Sequence, residues 1–211
     1  MPPSPAPHEC IMYLIRHGAT ANNVADPPLL QGLSSDPELS PEGRGQVERT
    51  ADFLSHQPIR SVYCSPMLRA KQTADAIAVP HGLAPQIIEP IIEIDVGAWE
   101  MRSWKEISQS EPEAYAQFME NPAVHGYRDG ENLNQVHARV KPAIEQLMQR
   151  HLGEVIVVVA HNVVNRVLLA DLLRLPIALA RGISQDNCGI NVVRHVDGSM
   201  KLKSTNSIFH L

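Results

Sequence analysis

The stretch Cys10-Ile11-Met12-Tyr13-Leu14-Ile15-Arg16-His17-Gly18-Ala19-Thr20 decides how this chain is read. An apolar run from Cys10 to Ile15 stops abruptly at an arginine, a histidine and a glycine. The run reads as a buried strand. In open α/β sheets, ligands gather outside the carboxyl ends of the strands, which is where Arg16, His17 and Gly18 would lie.

The pattern occurs twice more. Residues 60–64 (Arg-Ser-Val-Tyr-Cys) read as a strand followed by Ser65, with Arg69 about one helical turn further on. Val155 to Ala160 reads as a fully buried strand followed directly by His161-Asn162. In a parallel sheet the three strand ends face one way, so two arginines and two histidines converge on one pocket.

The rest of the chain supplies the layers. Ser40-Pro41 opens a helix, with serine as N-cap, proline at the first helical position and an apolar stripe of Val47, Ala51 and Leu54. Gly43 and Gly45 weaken its first turns. Ser65-Pro66 starts a second helix running to about Ala78, and Pro85 to Ile94 reads as extended. Asn134 caps a long helix with Val136, Val140, Ile144 and Leu147 on one face, and Pro142 within it implies a kink or a local accommodation. A further helix runs from about Val163 to Leu173, and residues 189–194 and 200–204 read as final strands. Strands alternating with helices predict an α/β three-layer sandwich, a mostly parallel sheet with helices on both faces. From about 95 to 130 the composition changes. Both tryptophans, Trp99 and Trp104, fall here with a short acidic helix near 112–119, and the stretch reads as an inserted cap. The expected organisation is a disordered leader over 1–9 and one domain over 10–211.

Composition narrows the function. At 211 residues with 44% hydrophobic content, the chain has ample material for one core. A net charge of −5 gives no bulk attraction to nucleic acid or anionic lipid, so any anion must be held by a local cluster of cations. The proline-rich start lacks the apolar stretch of a signal peptide, and no run is long enough to span a bilayer. Three dispersed cysteines without a CxxC pair suit a reduced, cytoplasmic setting.

These motifs, in their order, resemble the histidine phosphatase superfamily, the phosphoglycerate-mutase-like fold. The matching residues are Leu14-Ile15-Arg16-His17-Gly18-x-Thr20-x-x-Asn23, Leu39-Ser40-Pro41-Glu42-Gly43 and Ser65-Pro66-x-x-Arg69-Ala70-x-x-Thr73-Ala74. They continue with Glu93-x-x-x-Gly97-x-Trp99-Glu100, Gly130-Glu131, His161 at the end of its strand, and Asn187-Cys188-Gly189. The resemblance runs from residue 10 to about 193. It implies that His17 accepts a phosphoryl group and that Arg16, Arg69 and His161 clamp phosphate. It further implies that Asn23 adds a phosphate contact and that Glu93 protonates the leaving oxygen and then activates water. Gly18 would let the backbone pass close to the nucleophile, Asn162 would present its N–H to phosphate, and Gln31-Gly32 would line the pocket or form a turn. Glu89, Asp95 and Glu100 compete with Glu93, and Asn22 stands beside Asn23. Three positions depart from the pattern. Asn162 and Met101 stand where glycine is usual or frequent, and Asn132 where serine is frequent; the last two bear on substrate choice.

Phosphoryl transfer relies on positioning and charge stabilisation, and arginine forks match phosphate oxygens two at a time. With that charge in place and no Asp-rich cluster or histidine spacing for a metal, neither metal nor cofactor is expected. The expected partner is a small-molecule phosphate ester, with no nucleic acid and no membrane, and a homodimer is the one assembly left open. Three functions compete: a phosphomonoesterase, a bisphosphoglycerate-dependent phosphoglycerate mutase, and a non-catalytic phosphate-binding protein. The short stretch from Glu93 to Gly130 and the early end after the last strand favour hydrolysis over the mutase. The presence of both His17 and Glu93 argues against the non-catalytic reading.

Overall fold

The computed structural model describes residues 5–211. Among them are six strands: β1 (Glu9–Arg16), β2 (Ile59–Cys64), β3 (Gln86–Ile87), β4 (Val155–Ala160), β5 (Ile190–Val196) and β6 (Ser199–Ser207). The α-helices are α1 (Ala21–Val24), α2 (Pro41–Leu54), α3 (Leu68–Ala78), α4 (Trp104–Ser110), α5 (Pro112–Glu120), α6 (Leu133–Arg150) and α7 (Asn162–Leu172). The strands form one sheet in the order β3-β2-β4-β1-β5-β6. β1, β2, β3 and β4 run parallel, while β5 is antiparallel to β1 and β6 to β5.

Strand periodicity explains the layers. Successive side chains leave a strand on opposite faces, so one buried strand feeds two cores. In β1, Cys10, Met12 and Leu14 enter one core while Ile15 enters the other. In β4, Ile156, Val158 and Ala160 share the first core, and Val155, Val157 and Val159 the second. The first face is covered by α6, α7 and the 94–127 stretch, the second by α2 and α3.

Most expected elements appear, with instructive shifts. The first strand starts at Glu9, within the span expected for a leader, and the Glu9 carbonyl accepts from Gly153 N–H at 2.6 Å. Residues 1–4 of that leader lie outside the described residues. Helix α3 begins at Leu68 with Met67 as N-cap, because the Ser65 hydroxyl is engaged elsewhere. The Pro85–Ile94 stretch pairs only at Gln86–Ile87 and then turns through a 3-10 segment at Glu89–Ile91, where Pro90 lacks the donor a strand needs. Helix α6 is capped by Asn132, not Asn134: Asn132 Oδ1 accepts from Gln135 N–H at 2.9 Å, and Gln135 Oε1 accepts from Asn132 N–H at 2.7 Å. The side chain at 132 therefore serves as a helix cap. Pro142 is accommodated within a continuous α6 because it and Ala138, whose carbonyl loses its donor, both face solvent.

The 95–130 stretch folds around Trp99, which meets Trp104, Phe118 and Tyr127 edge-on or nearly so at 5.5 to 6.0 Å between ring centroids. It includes α4, which the composition did not suggest but which a Ser103–Glu106 capping box defines. The three cysteines are free and buried. Among the described residues no helix is long and apolar enough to cross a membrane.

Candidate active site

The carboxyl ends of β1 and β4 are tied together where the apolar runs stop. His17 N–H donates to Ala160 O at 3.0 Å, and Ser65 N–H to Val159 O at the same distance. This brings the rings of His17 and His161 to 5.1 Å between centroids, tilted by 60°.

Each ring has a defined hydrogen. His17 Nδ1 lies 2.7 Å from Gly18 O. A carbonyl only accepts, so Nδ1 carries the hydrogen and Nε2 of the neutral ring carries a lone pair. Burial, with Arg69 and Arg16 nearby, holds His17 well below the ordinary histidine range. His161 is depressed in the same way by burial and then by Arg69. Both rings are neutral at physiological pH.

A cleft of about 140 Å³ opens beside them, lined among others by Arg16, His17, Asn23, Gln31, Glu93 and Asn162. Arg16 Nη1 donates to Gln185 O at 2.7 Å, whereas its buried Nε has no partner among the described residues. Burial lowers Arg16 to about 10, which leaves it charged at neutral pH. Glu93 is buried; its Oε1 accepts from Ile94 N–H at 2.9 Å and its Oε2 from Val163 N–H at 3.5 Å, in the first turn of α7. Burial raises Glu93 above the ordinary carboxyl range, against the pull of the Ile94 N–H, Arg69 and Arg16. Arg139 of α6 fixes the Glu93 backbone by donating to the carbonyls of Pro90, Ile92 and Glu93 while pairing with Glu131. Among the competing acids, Glu100 accepts from Gly32 N–H at 2.8 Å and Asp95 from Gly97 N–H at 2.8 Å.

Asn23, not Asn22, faces the cleft. Its Oδ1 accepts from Thr20 N–H, the Thr20 hydroxyl and Asn187 Nδ2 at 3.1 to 3.2 Å, which turns its amide nitrogen outward. Asn22 instead meets the Met101 sulfur at 3.1 Å. Met101 adopts a left-handed backbone, φ 60°, the conformation that makes glycine frequent there. Gln31 completes a relay: with its amide oxygen accepting from Arg69 Nε at 2.8 Å, its nitrogen donates to Thr20 Oγ1 at 2.7 Å.

Arg69 is fully buried behind the cleft, and donates to Ser35 O, Asp36 and Gly32 O. From there its charge reaches the rings of His17 and His161 and helps to depress both. Gly18 does not line the cleft: its N–H donates to Thr73 Oγ1, and a Cβ there would lie 2.7 Å from Val47 and 2.8 Å from Gly43 O. It is glycine so that α2 can pack closely. Gly32 is likewise withdrawn, and a Cβ there would meet Ile94 O at 2.6 Å.

The sequence reading missed Arg166 and Arg181, which line the same cleft with Trp104 and Tyr127. Arg166 has a sequence signal, being the lone charge in the otherwise apolar or amide run Asn162–Ala170. Arg181 has none. Trp99, by contrast, is core. Among the described residues no group of three His, Cys, Asp or Glu side chains is arranged to hold a metal ion.

Comparison with known proteins places this geometry. Phosphoserine phosphatase 1 of Hydrogenobacter thermophilus is 30% identical over 200 residues, covering 95% of this chain and 93% of that protein. The metal-independent phosphoserine phosphatase of Arabidopsis thaliana is 34% identical over 208 residues, covering 95% and 82%. A crystal structure of a mutant phosphoserine phosphatase from Entamoeba histolytica, in complex with phosphoserine, superposes with a TM-score of 0.85 at 26% identity, covering 96% and 99%. The sequence model of histidine phosphatase superfamily branch 1 matches residues 12–208, from within the first strand to just past the last. The chain belongs to that superfamily.

Proposed function

We propose that this protein is a metal-independent phosphomonoesterase that cleaves a small phosphorylated metabolite through a phosphohistidine. The carrying observation is the hydrogen bond from His17 Nδ1 to Gly18 O, which leaves Nε2 bare beside a buried carboxyl in one cleft.

In the first step His17 Nε2 attacks phosphorus, the bond from phosphorus to the ester oxygen breaks, and the Glu93 proton passes to that oxygen. In the second step the Glu93 carboxylate takes a proton from water. The resulting hydroxyl attacks phosphorus, the N–P bond breaks, and inorganic phosphate leaves with Glu93 protonated again. The raised affinity of Glu93 for its proton suits the first half. The neutrality of His17 suits nucleophilic attack. Charge on the phosphoryl oxygens is met by Arg16 Nε and His161 Nδ1, which are buried without partners among the described residues, and by the outward amide of Asn23. Arg69 adds a fixed positive field from behind. The 95–130 stretch acts as the cap, with Trp104 and Tyr127 as its wall. The small cleft and the phosphatases among the relatives support hydrolysis of a compact ester over isomerisation. Three unpaired thiols suit the cytoplasm.

Incubation with p-nitrophenyl phosphate and an alkaline quench tests the reading. Phosphate release and a base-stable, acid-labile phosphoryl group on the His17 peptide are expected, both absent from His17→Ala. Phosphorylation that survives this substitution, or no release by the wild type, overturns it.

A further inference from the structure

The phosphoryl chemistry leaves two cations of the cleft unused. Arg166 and Arg181 line it, yet neither has a carboxylate within ion-pair distance among the described residues. The other arginines at the site have roles: Arg69 pairs with Asp36, and Arg16 stands beside the nucleophile. Two further guanidinium groups facing one small space repel each other, and that arrangement calls for a second negative charge brought by the ligand.

Both groups are presented in a defined way. Arg166 Nε donates to Ile183 O at 2.7 Å, which fixes the plane of the guanidinium and leaves Nη1 and Nη2 for a ligand. Arg166 lies four residues after Asn162 on α7, so the two share a helix face, and both line the cleft. Arg181 stands 4.9 Å from the ring centroids of both Trp104 and Phe118. This holds a long side chain over the cleft without neutralising it. Its neighbour Ile183 provides the Arg166 tether, so the 177–183 segment sets both arginines.

From this geometry we infer that Arg166 and Arg181 bind a carboxylate on the substrate, so that the preferred ester is a short phosphorylated carboxylic acid. The inference rests on the phosphomonoesterase reading for the position of the phosphoryl group. A planar carboxylate matches the paired Nη1 and Nη2 edge of a guanidinium. The small cleft keeps phosphate and carboxylate a few carbons apart.

The test compares O-phosphoserine with O-phosphoethanolamine, which differs from it only by the carboxylate, and 3-phosphoglycerate with glycerol 3-phosphate. Wild-type kcat/KM is expected to favour the acid of each pair by about 30-fold or more, the scale expected when an enclosed site is deprived of one charge-assisted hydrogen bond. In Arg166→Gln and Arg181→Gln this ratio falls at least about ten-fold, with KM for the acid carrying most of the change. Arg181→Lys, which keeps the charge, retains more of the ratio than Arg181→Gln. Equal wild-type rates on each pair, a preference for bisphosphates over the acids, or a ratio unmoved in both Gln variants overturns the inference. Release from p-nitrophenyl phosphate reads the hydrolase itself. If that release is absent, the calorimetric affinity ratio of phosphoserine to phosphoethanolamine still decides the matter, and a ratio near one rejects the carboxylate site.

Discussion

Ser65 Oγ lies 2.7 Å from His161 Nε2, and the Met67 N–H points to the same hydroxyl at 3.4 Å. Among the described residues Nε2 is the one acceptor within reach of the Ser65 hydroxyl, so the hydroxyl hydrogen goes to Nε2 of the imidazole. His161 then carries its hydrogen on Nδ1, which is buried and has no partner among the described residues. A lone buried donor is costly, and under the proposed function a phosphoryl oxygen satisfies it.

Ser65→Ala should therefore weaken turnover without touching the substrate. The ring loses the partner that selects its tautomer, and kcat/KM is expected to fall about ten-fold, on the order of 1.4 kcal/mol. Competitive inhibition by inorganic phosphate should weaken in parallel, and Ser65→Thr should restore part of both. Steady-state kinetics of the two variants check this; a change under two-fold in Ser65→Ala contradicts the tautomer assignment.

Acid sensitivity follows from the same rings. The folded protein holds His17 and His161 well below 6.5, whereas the unfolded chain protonates them near that value. The unfolded state thus binds more protons, so stability falls as pH drops below about 6.5, by up to about 1.4 kcal/mol per pH unit for each ring. Burial depresses His81 and His210 in the same direction, adding to the slope. Glu93, raised above 4.5, works oppositely and only from that value upward, where stability declines with rising pH. Thermal unfolding of the wild type between pH 7.5 and pH 5.5 should show a falling midpoint, and His161→Asn should flatten the fall.

Two glycines of α2 should respond in opposite senses. A Cβ on Gly43 would lie 2.0 Å from Ala19 O, against the backbone that follows His17, so Gly43→Ala is expected to cost about 3 kcal/mol. A Cβ on Gly45 meets only the end of Arg49 at 3.5 Å, so Gly45→Ala should stabilise by about 0.5–1 kcal/mol. Urea unfolding of the pair measures both. Equal effects would mean that helix propensity alone governs the two positions.

What the sequence made legible follows from where hydrophobicity ends. β1, β2 and β4 are apolar runs cut off by polar groups, so their ends could be found and, once the sheet was taken as parallel, brought together. Glycine at 43 reads as a helix weakener until the Ala19 backbone is seen against it. The burial of Arg69 was not legible, because the chain does not reveal the carbonyls of Gly32 and Ser35 folded over it. Arg181 carried no signal, since its setting comes from two aromatic rings more than sixty residues away. The Ser103–Glu106 box that starts α4 was open to view, hidden only by the short length of that helix.

One strand in the sheet runs the other way, and this divides the molecule's labour. Reaction groups stand where β1 and β4 finish, but the neighbouring β5 begins at that rim, so the loop entering it arrives beside the chemistry. That loop and the segment before it bring Gln185, Asn187 and Arg181 without interrupting the parallel core. One connection thus both steadies Arg16 and His17, through Gln185 and Asn187, and carries Arg181 to the far wall of the cleft.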